Sequence, residues 1–222
     1  MLERADTLAE QALVALCATA RPGVRESEVY AAMVGAMIRD GGELPTMISW
    51  FSGPYGQRAQ RLTIASERVI GADWYITQEC EGRVAGYVAQ RMQPVFIGSR
   101  VPDELRAGFE AQTRALYACW DALRPGATFQ ELIAIAARAG EGSGFSTELI
   151  MHGRGLGDDA PMVNRGKVHL DMGPIEENCV FQVKPGAARP GFDGCTWADS
   201  VVVTPEGARR LGKQPVELVH LS

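Results

Sequence analysis

The chain of 222 residues is 46% apolar and 22% charged, with a formal net charge of -5, the profile of a folded protein long enough to bury a sizeable core. Its basic residues are scattered rather than clustered, which argues against a nucleic-acid partner. No run approaches the roughly 18 apolar residues of a spanning helix, and MLERADTLAEQ sets acidic residues where a signal peptide needs a basic region, so no membrane partner and a cytoplasmic location are expected. The cysteines Cys17, Cys80, Cys119, Cys179 and Cys195 are odd in number and lack a C-x-x-C spacing, so reduced core thiols are expected, not a disulfide framework or a zinc knuckle.

In chain order, ALVALCATARPGVRESEV (Ala12 to Val29) predicts an amphipathic helix stopped by Arg-Pro-Gly, then a second helix with Ser27 as its N-cap and an apolar face through Val29, Ala32 and Met33. SWFSGPYG follows, with Trp50, Phe51 and Tyr55 beside a Gly-Pro turn; it reads either as a buried aromatic cluster or as a rim or interface element. ADWYITQE (Ala72 to Glu79) reads as a strand. ALYACWDALRPGATFQEL (Ala115 to Leu132) then repeats the first helix pair without a gap at an offset of 103, with Thr128 as N-cap and Leu132, Ile135 and Ala136 on the apolar face. The apolar strand in EENCVFQVK lies 105 residues after ADWYITQE, and Gly191-Phe192 lies the same distance after Gly86-Tyr87. WADSVVVT (Trp197 to Thr204), ended by Pro-Glu-Gly, is a long β-branched strand. These elements predict one domain of α+β class made of two similar halves, approximately 1–103 and 104–222, with antiparallel sheet inside and helices outside.

The offset of 105 gives Lys184, which stands in an apolar strand before a Pro-Gly turn, a counterpart in Glu79. A pseudo-twofold brings that acid and that base face to face on the innermost strands. The alternative is two unrelated solvated charges at strand ends.

With these residues in view, the sequence resembles the catalytic domain of the creatinase, aminopeptidase P and methionine aminopeptidase family. The repeat helices carry it, together with GRVAGYVAQRMQPVFIG (Gly82 to Gly98), MHGRGLGDDAP (Met151 to Pro161), IEENCVFQVKPG and WADSVVVTPEGARRL, in the family's order. The resemblance covers essentially the whole chain and implies the pita-bread fold. It also implies that the N-terminal domain of creatinase relatives has no counterpart in this chain. The expected consequence is an open pocket, or a lid lent by a second copy in a homodimer or by a hetero-partner.

The family's peptidases hold two metal ions with two aspartates, a histidine and two glutamates, and the resemblance sets these ligands on Glu79, Gln90, His152, Lys184 and Ala198. Hard divalent ions need several anionic oxygens, and an ammonium about 3.5 Å from such an ion is repelled by roughly 9 kcal/mol at an effective dielectric of about 20. No metal and no other cofactor are therefore expected, with Lys184 as the resident cation and Glu79 as its counter-ion. The metal-free branch of the family, creatinase, uses a histidine in its first half where this chain has Gln60 or a neighbour, so creatine itself is not the expected substrate.

His152, Glu79 and Lys184 are the candidate catalytic residues: a proton-transfer imidazole on a glycine-flanked loop, and a charge pair. Candidate substrate contacts are Arg154, Asp158, Asp159, Gln90, Asp199 and Tyr87. Arg154 either binds a carboxylate or pairs with one of the aspartates. Asp158 and Asp159 either receive a hydrogen-bond-donating group or form an Asx turn or cap. Asp199 suits a supporting or strand-pairing role. Two functions follow: a metal-independent hydrolase of a small amide, amidine or related C–N bond, or a non-catalytic pseudo-peptidase retained as a binding or assembly module.

Overall fold

Helix α1 (Leu2–Thr19) turns three alanines, Ala5, Ala9 and Ala12, together with Leu8, Leu13 and Leu16, toward the interior. The computed structural model describes the chain apart from residues 58, 59, 63 and 193, and the backbone alone at 60–62, so the side chain of Gln60 lies outside the described residues. The alanines let α1 settle directly on a strand: a Cβ on Gly82 would lie 1.9 Å from the Ala5 carbonyl oxygen. After α1 come α2 (Glu26–Arg39), α3 (Asp103–Ala122) and α4 (Phe129–Ala139).

The repeat is visible at the level of single hydrogen bonds. Gly23 and Gly126 end the Arg-Pro-Gly turns at φ +91° and +85°, a backbone region glycine enters without strain. Their N–H groups donate to Ile70 and Ile175, whose own N–H groups donate back to Val24 and Ala127. Thr128 caps α4 as expected, with its Oγ1 accepting from the Glu131 N–H and the Glu131 carboxylate accepting from the Thr128 N–H. In the first copy the cap is Arg25, not Ser27; the Glu28 carboxylate accepts the Arg25 N–H. The offset of 103 itself sets Arg25 opposite Thr128.

The first half folds into β1 (Ile48–Pro54), β2 (Gln60–Leu62), β3 (Trp74–Val84), β4 (Tyr87–Arg91) and β5 (Val95–Ile97). The second half contributes β6 (Ser146–Glu148), β7 (Met151–Arg154), β8 (Asp158–Asn164), β9 (Lys167–His169), β10 (Val180–Val183), β11 (Gly186–Ala188), β12 (Cys195–Thr196), β13 (Asp199–Thr204) and β14 (Gly207–Arg210). The second sheet runs β14-β13-β10-β7-β8-β9, and β12-β11-β6 form a short third one. A final strand, β15 (Val219–Leu221), returns to the first half and pairs in parallel with β5, giving the order β15-β5-β3-β1-β2 with β4 also on β3. Residues 219–221 therefore belong to the first sheet.

Each half has its own apolar core. Leu8, Leu16, Met33, Trp50 and Ile76 anchor the first, and Leu116, Leu132, Phe181, Trp197 and Val201 the second. A reciprocal pair of 3.1 Å backbone bonds between Met92 and Ala198 stitches the two sheets together at the centre.

Candidate functional site

Alternation along a strand sends successive side chains to opposite faces. On β3, Gly82 meets α1 while Thr77 and Glu79 line a central cavity of about 480 Å³. His152 of β7, Asp158 of β8 and Lys184, immediately after β10, line the same cavity, and Met47, Phe51 and Met92 form apolar wall. The pseudo-twofold thus does bring Glu79 and Lys184 together: the Lys184 Nζ lies 3.4 Å from Glu79 Oε1 and 3.2 Å from Gln90 Oε1. Burial pulls the Lys184 ammonium below its usual pKa, against the raising effect of the Glu79 and Asp158 charges.

His152 is 2% exposed and faces this pair. Its Nδ1 lies 3.1 Å from the Gly153 carbonyl oxygen and 3.4 Å from Asp158 Oδ1, while its buried Nε2 has no partner among the described residues. Both neighbours of Nδ1 are acceptors, so Nδ1 carries the hydrogen and Nε2 presents a lone pair. Burial, then the Lys184 and Arg154 charges, pull the imidazole pKa down to about 4, so the ring is neutral at physiological pH.

The remaining candidates separate. Gln90 is fully buried and accepts from Lys184; its Nε2 has no partner among the described residues. Arg154 is paired with one of the aspartates, its guanidinium lying 2.8 Å from Asp158 and donating to Glu81 at 2.7 Å and to the Gly157 carbonyl at 3.0 Å. Asp159 accepts the Leu156 N–H and, with the exposed Tyr87, borders a different depression of about 410 Å³. Asp199 points to α1, where it takes hydrogen bonds from Arg91 at 2.9 Å and Arg210 at 2.8 Å. Asp6 and Glu10 of α1 also meet Arg91, at 3.1 and 3.2 Å. Burial and the Asp199 charge push Asp6 up to about 8.

In the aromatic segment Trp50 is core, Phe51 is cavity wall, and Tyr55 meets Tyr75 and Phe96 edge-on. Cys80 is a buried thiol that burial pushes up to about 12, which suits packing rather than nucleophilic attack. Glu81 is the site residue that motif and repeat both miss. Its one signal in the sequence is its place two residues beyond Glu79, on the same face of β3.

Two helix-flanked halves related by a pseudo-twofold, closing on a cavity that holds a charge pair and an imidazole, define a pita-bread protein. A family model described as metallopeptidase family M24 matches residues 1–205, and the chain belongs to that family. It is 27% identical over 228 residues to the Xaa-Pro dipeptidase of Pyrococcus furiosus, across 99% of this chain and 62% of that protein. It is 29% identical over 221 residues to the agropine synthesis cyclase of Rhizobium rhizogenes, across 91% of this chain and 54% of the relative. Among solved structures, dipeptidase PepE from Mycobacterium ulcerans superposes with a TM-score of 0.82 at 26% identity, over 99% of this chain and 59% of that one. The X-Pro aminopeptidase from Thermotoga maritima gives a TM-score of 0.84 at 23% identity, over 99% and 61%, a likeness of fold. The chain thus spans less than two thirds of the length of these relatives.

The donors present do not fit a pair of divalent ions. At the five positions that the resemblance matches to metal ligands stand a carboxylate, an amide, an imidazole, an ammonium and a methyl group (Glu79, Gln90, His152, Lys184, Ala198). The ammonium spends its hydrogen bonds on the carboxylate and the amide oxygen that a metal would need.

Proposed function

We propose that this chain is a metal-independent hydrolase of the creatinase and aminopeptidase type, acting on the C–N bond of a small amide, amidine or related substrate. One observation carries the reading: a buried, neutral imidazole whose Nε2 has no partner among the described residues shares a cavity with a lysine tethered by Glu79 and Gln90. A buried ion pair seldom adds stability over apolar packing, so this grouping favours a reactive site over a structural one. The named dipeptidases among the relatives cleave an amide bond, which agrees with the bond class.

In this reading water enters between His152 and the substrate carbon. His152 Nε2 takes its proton as the oxygen attacks, and the Lys184 ammonium, held by Glu79, faces the oxyanion that forms. The imidazolium then returns the proton to the departing nitrogen, so that the amide and one water become an acid and an amine. A base of low pKa gains strength during this sequence. The growing oxyanion offsets the Lys184 charge, which helps to depress His152 in the free protein.

The test is amine or ammonia release from a panel of small amides, ureas and amidines with chelator present, beside thermal unfolding. Lys184→Met should lower turnover by about 100-fold or more, and Lys184→Met with Glu79→Leu should remain folded and equally inactive. Turnover that needs an added divalent ion would overturn metal independence. A folded double variant with full activity, or a parent that turns over nothing in the panel while still binding its members, would leave the pocket as a binding module.

A further inference from the structure

The hydrogen on His152 Nδ1 has a structural origin that begins at a residue in the other half of the molecule. Arg154 stands two residues after His152 on β7, so both side chains share a face. Regular antiparallel pairing from His152 opposite Met162 would set Ala160 opposite Arg154. A bulge between His152 and Gly153 shifts the register instead, and Asp158 becomes the cross-strand partner of Arg154. Gly153 makes the bulge feasible, because a Cβ there would lie 2.6 Å from the Ala160 carbonyl oxygen. The displaced strand sets Asp158 Oδ1 2.8 Å from Arg154 Nη1 and 3.4 Å from His152 Nδ1.

Asp158 alone is a poor anchor, since its side chain is 44% exposed. Arg154 holds it, and Arg154 is itself completely buried with its other terminal nitrogen on Glu81 at 2.7 Å. Glu81 is 4% exposed and also accepts the Thr46 hydroxyl. A guanidinium can only donate, so the Asp158 oxygen it holds beside Nδ1 stands there as an acceptor. The chain Glu81, Arg154, Asp158 thus ends in a fixed acceptor at Nδ1. The other charged groups around the ring are Lys184 and Glu79 across the cavity, which pair with each other at 3.4 Å.

We propose that Glu81 is a positioning residue: through Arg154 and Asp158 it locks His152 in the Nδ1–H form and leaves Nε2 free for the substrate. This rests on the reading of His152 as the proton-transfer group. The lock spans both halves, with Glu81 on β3 and the rest on β7 and β8, so the base is set only when the halves are joined.

The measurement is long-range proton–nitrogen NMR on the imidazole rings of the full chain, with His152 assigned by the signals lost in His152→Gln. It needs no substrate, so it stands apart from any failure to find turnover. In the parent, Nδ1 should give the N–H type of signal and Nε2 the lone-pair type. Glu81→Gln and Asp158→Asn should each move the pair of signals toward a mixture, and Glu81→Asp should restore them in part. Asp158→Asn alters a half-exposed side chain, so it reads the lock even where a Glu81 variant fails to fold. A parent with hydrogen on Nε2 overturns the proposal. So does an unchanged Nδ1–H form in a folded Glu81→Gln variant, which would take Glu81 out of the lock, or in Asp158→Asn, which would leave the Gly153 carbonyl alone in control of the ring.

Discussion

Replacing Asp6 by asparagine should stabilise the protein at neutral pH and flatten its response to pH. Asp6, Glu10 and Asp199 all lie within 3.2 Å of Arg91, and Arg210 adds a second guanidinium at Asp199. The acids outnumber the cations, and the surplus falls on Asp6, raised by burial and by the Asp199 charge from 3.8 to about 8. A raised carboxyl pKa means that the folded chain holds a proton that the unfolded chain has lost. Stability from this group is therefore complete below the unfolded value, and it falls by roughly 1.4 kcal/mol per pH unit until the folded value is passed. At about pH 7 the accumulated loss is roughly 4 kcal/mol; Asp6 shares it with coupled neighbours, so about half is the expected gain in Asp6→Asn. Asparagine keeps the shape and an acceptor for Arg91 without titrating. Urea unfolding of parent and variant at several values between about pH 5 and about pH 8 measures this through the spacing of the two stability curves. Curves that stay parallel, or a variant weaker by the same amount throughout, would refute a protonated Asp6.

Gly82→Ala drives a methyl group into the Ala5 carbonyl and must lift α1 from β3, so a loss of about 3 kcal/mol or more is expected by denaturant unfolding. Thr128→Ala removes the α4 cap and should cost about 1 kcal/mol, read as a lower melting temperature. Gly153→Ala meets the Ala160 carbonyl, and its folded fraction should show a changed His152 ring signal before any change at His169 or His220. Elemental analysis of purified protein should find no stoichiometric manganese, cobalt, iron or zinc; near two ions per chain would overturn the ligand count.

Glu79 and Lys184 are legible in the sequence because the repeat carries them: a constant offset along the chain becomes a symmetry operation in space. The same offset favours Arg25 over Ser27 as the α2 cap, whereas residue preference alone points to the serine. Arg154 and Asp158 each keep two readings because a cross-strand salt bridge depends on register, and a bulge near His152 sets that register. Asp199 looks like a site residue from its place beside Ala198, but neighbouring residues on a strand face opposite ways, and Asp199 faces α1 with Arg91. Glu81 needs a partner 73 residues away, a distance at which neither periodicity nor the repeat gives any sign.

The return of β15 to the edge of β5 has a consequence for biosynthesis. Residues 95–97 leave the ribosome long before residues 219–221, which cover their backbone through the Val219 N–H to Pro94 and the Gly98 N–H to Leu221 bonds. Until then the nascent first half carries an open strand edge, which is the kind of surface that recruits another chain. The two repeats are therefore not interchangeable modules. The first reaches its final sheet only after the second has been made, and a polysome of closely spaced nascent chains is where the wrong partner for β5 would be met.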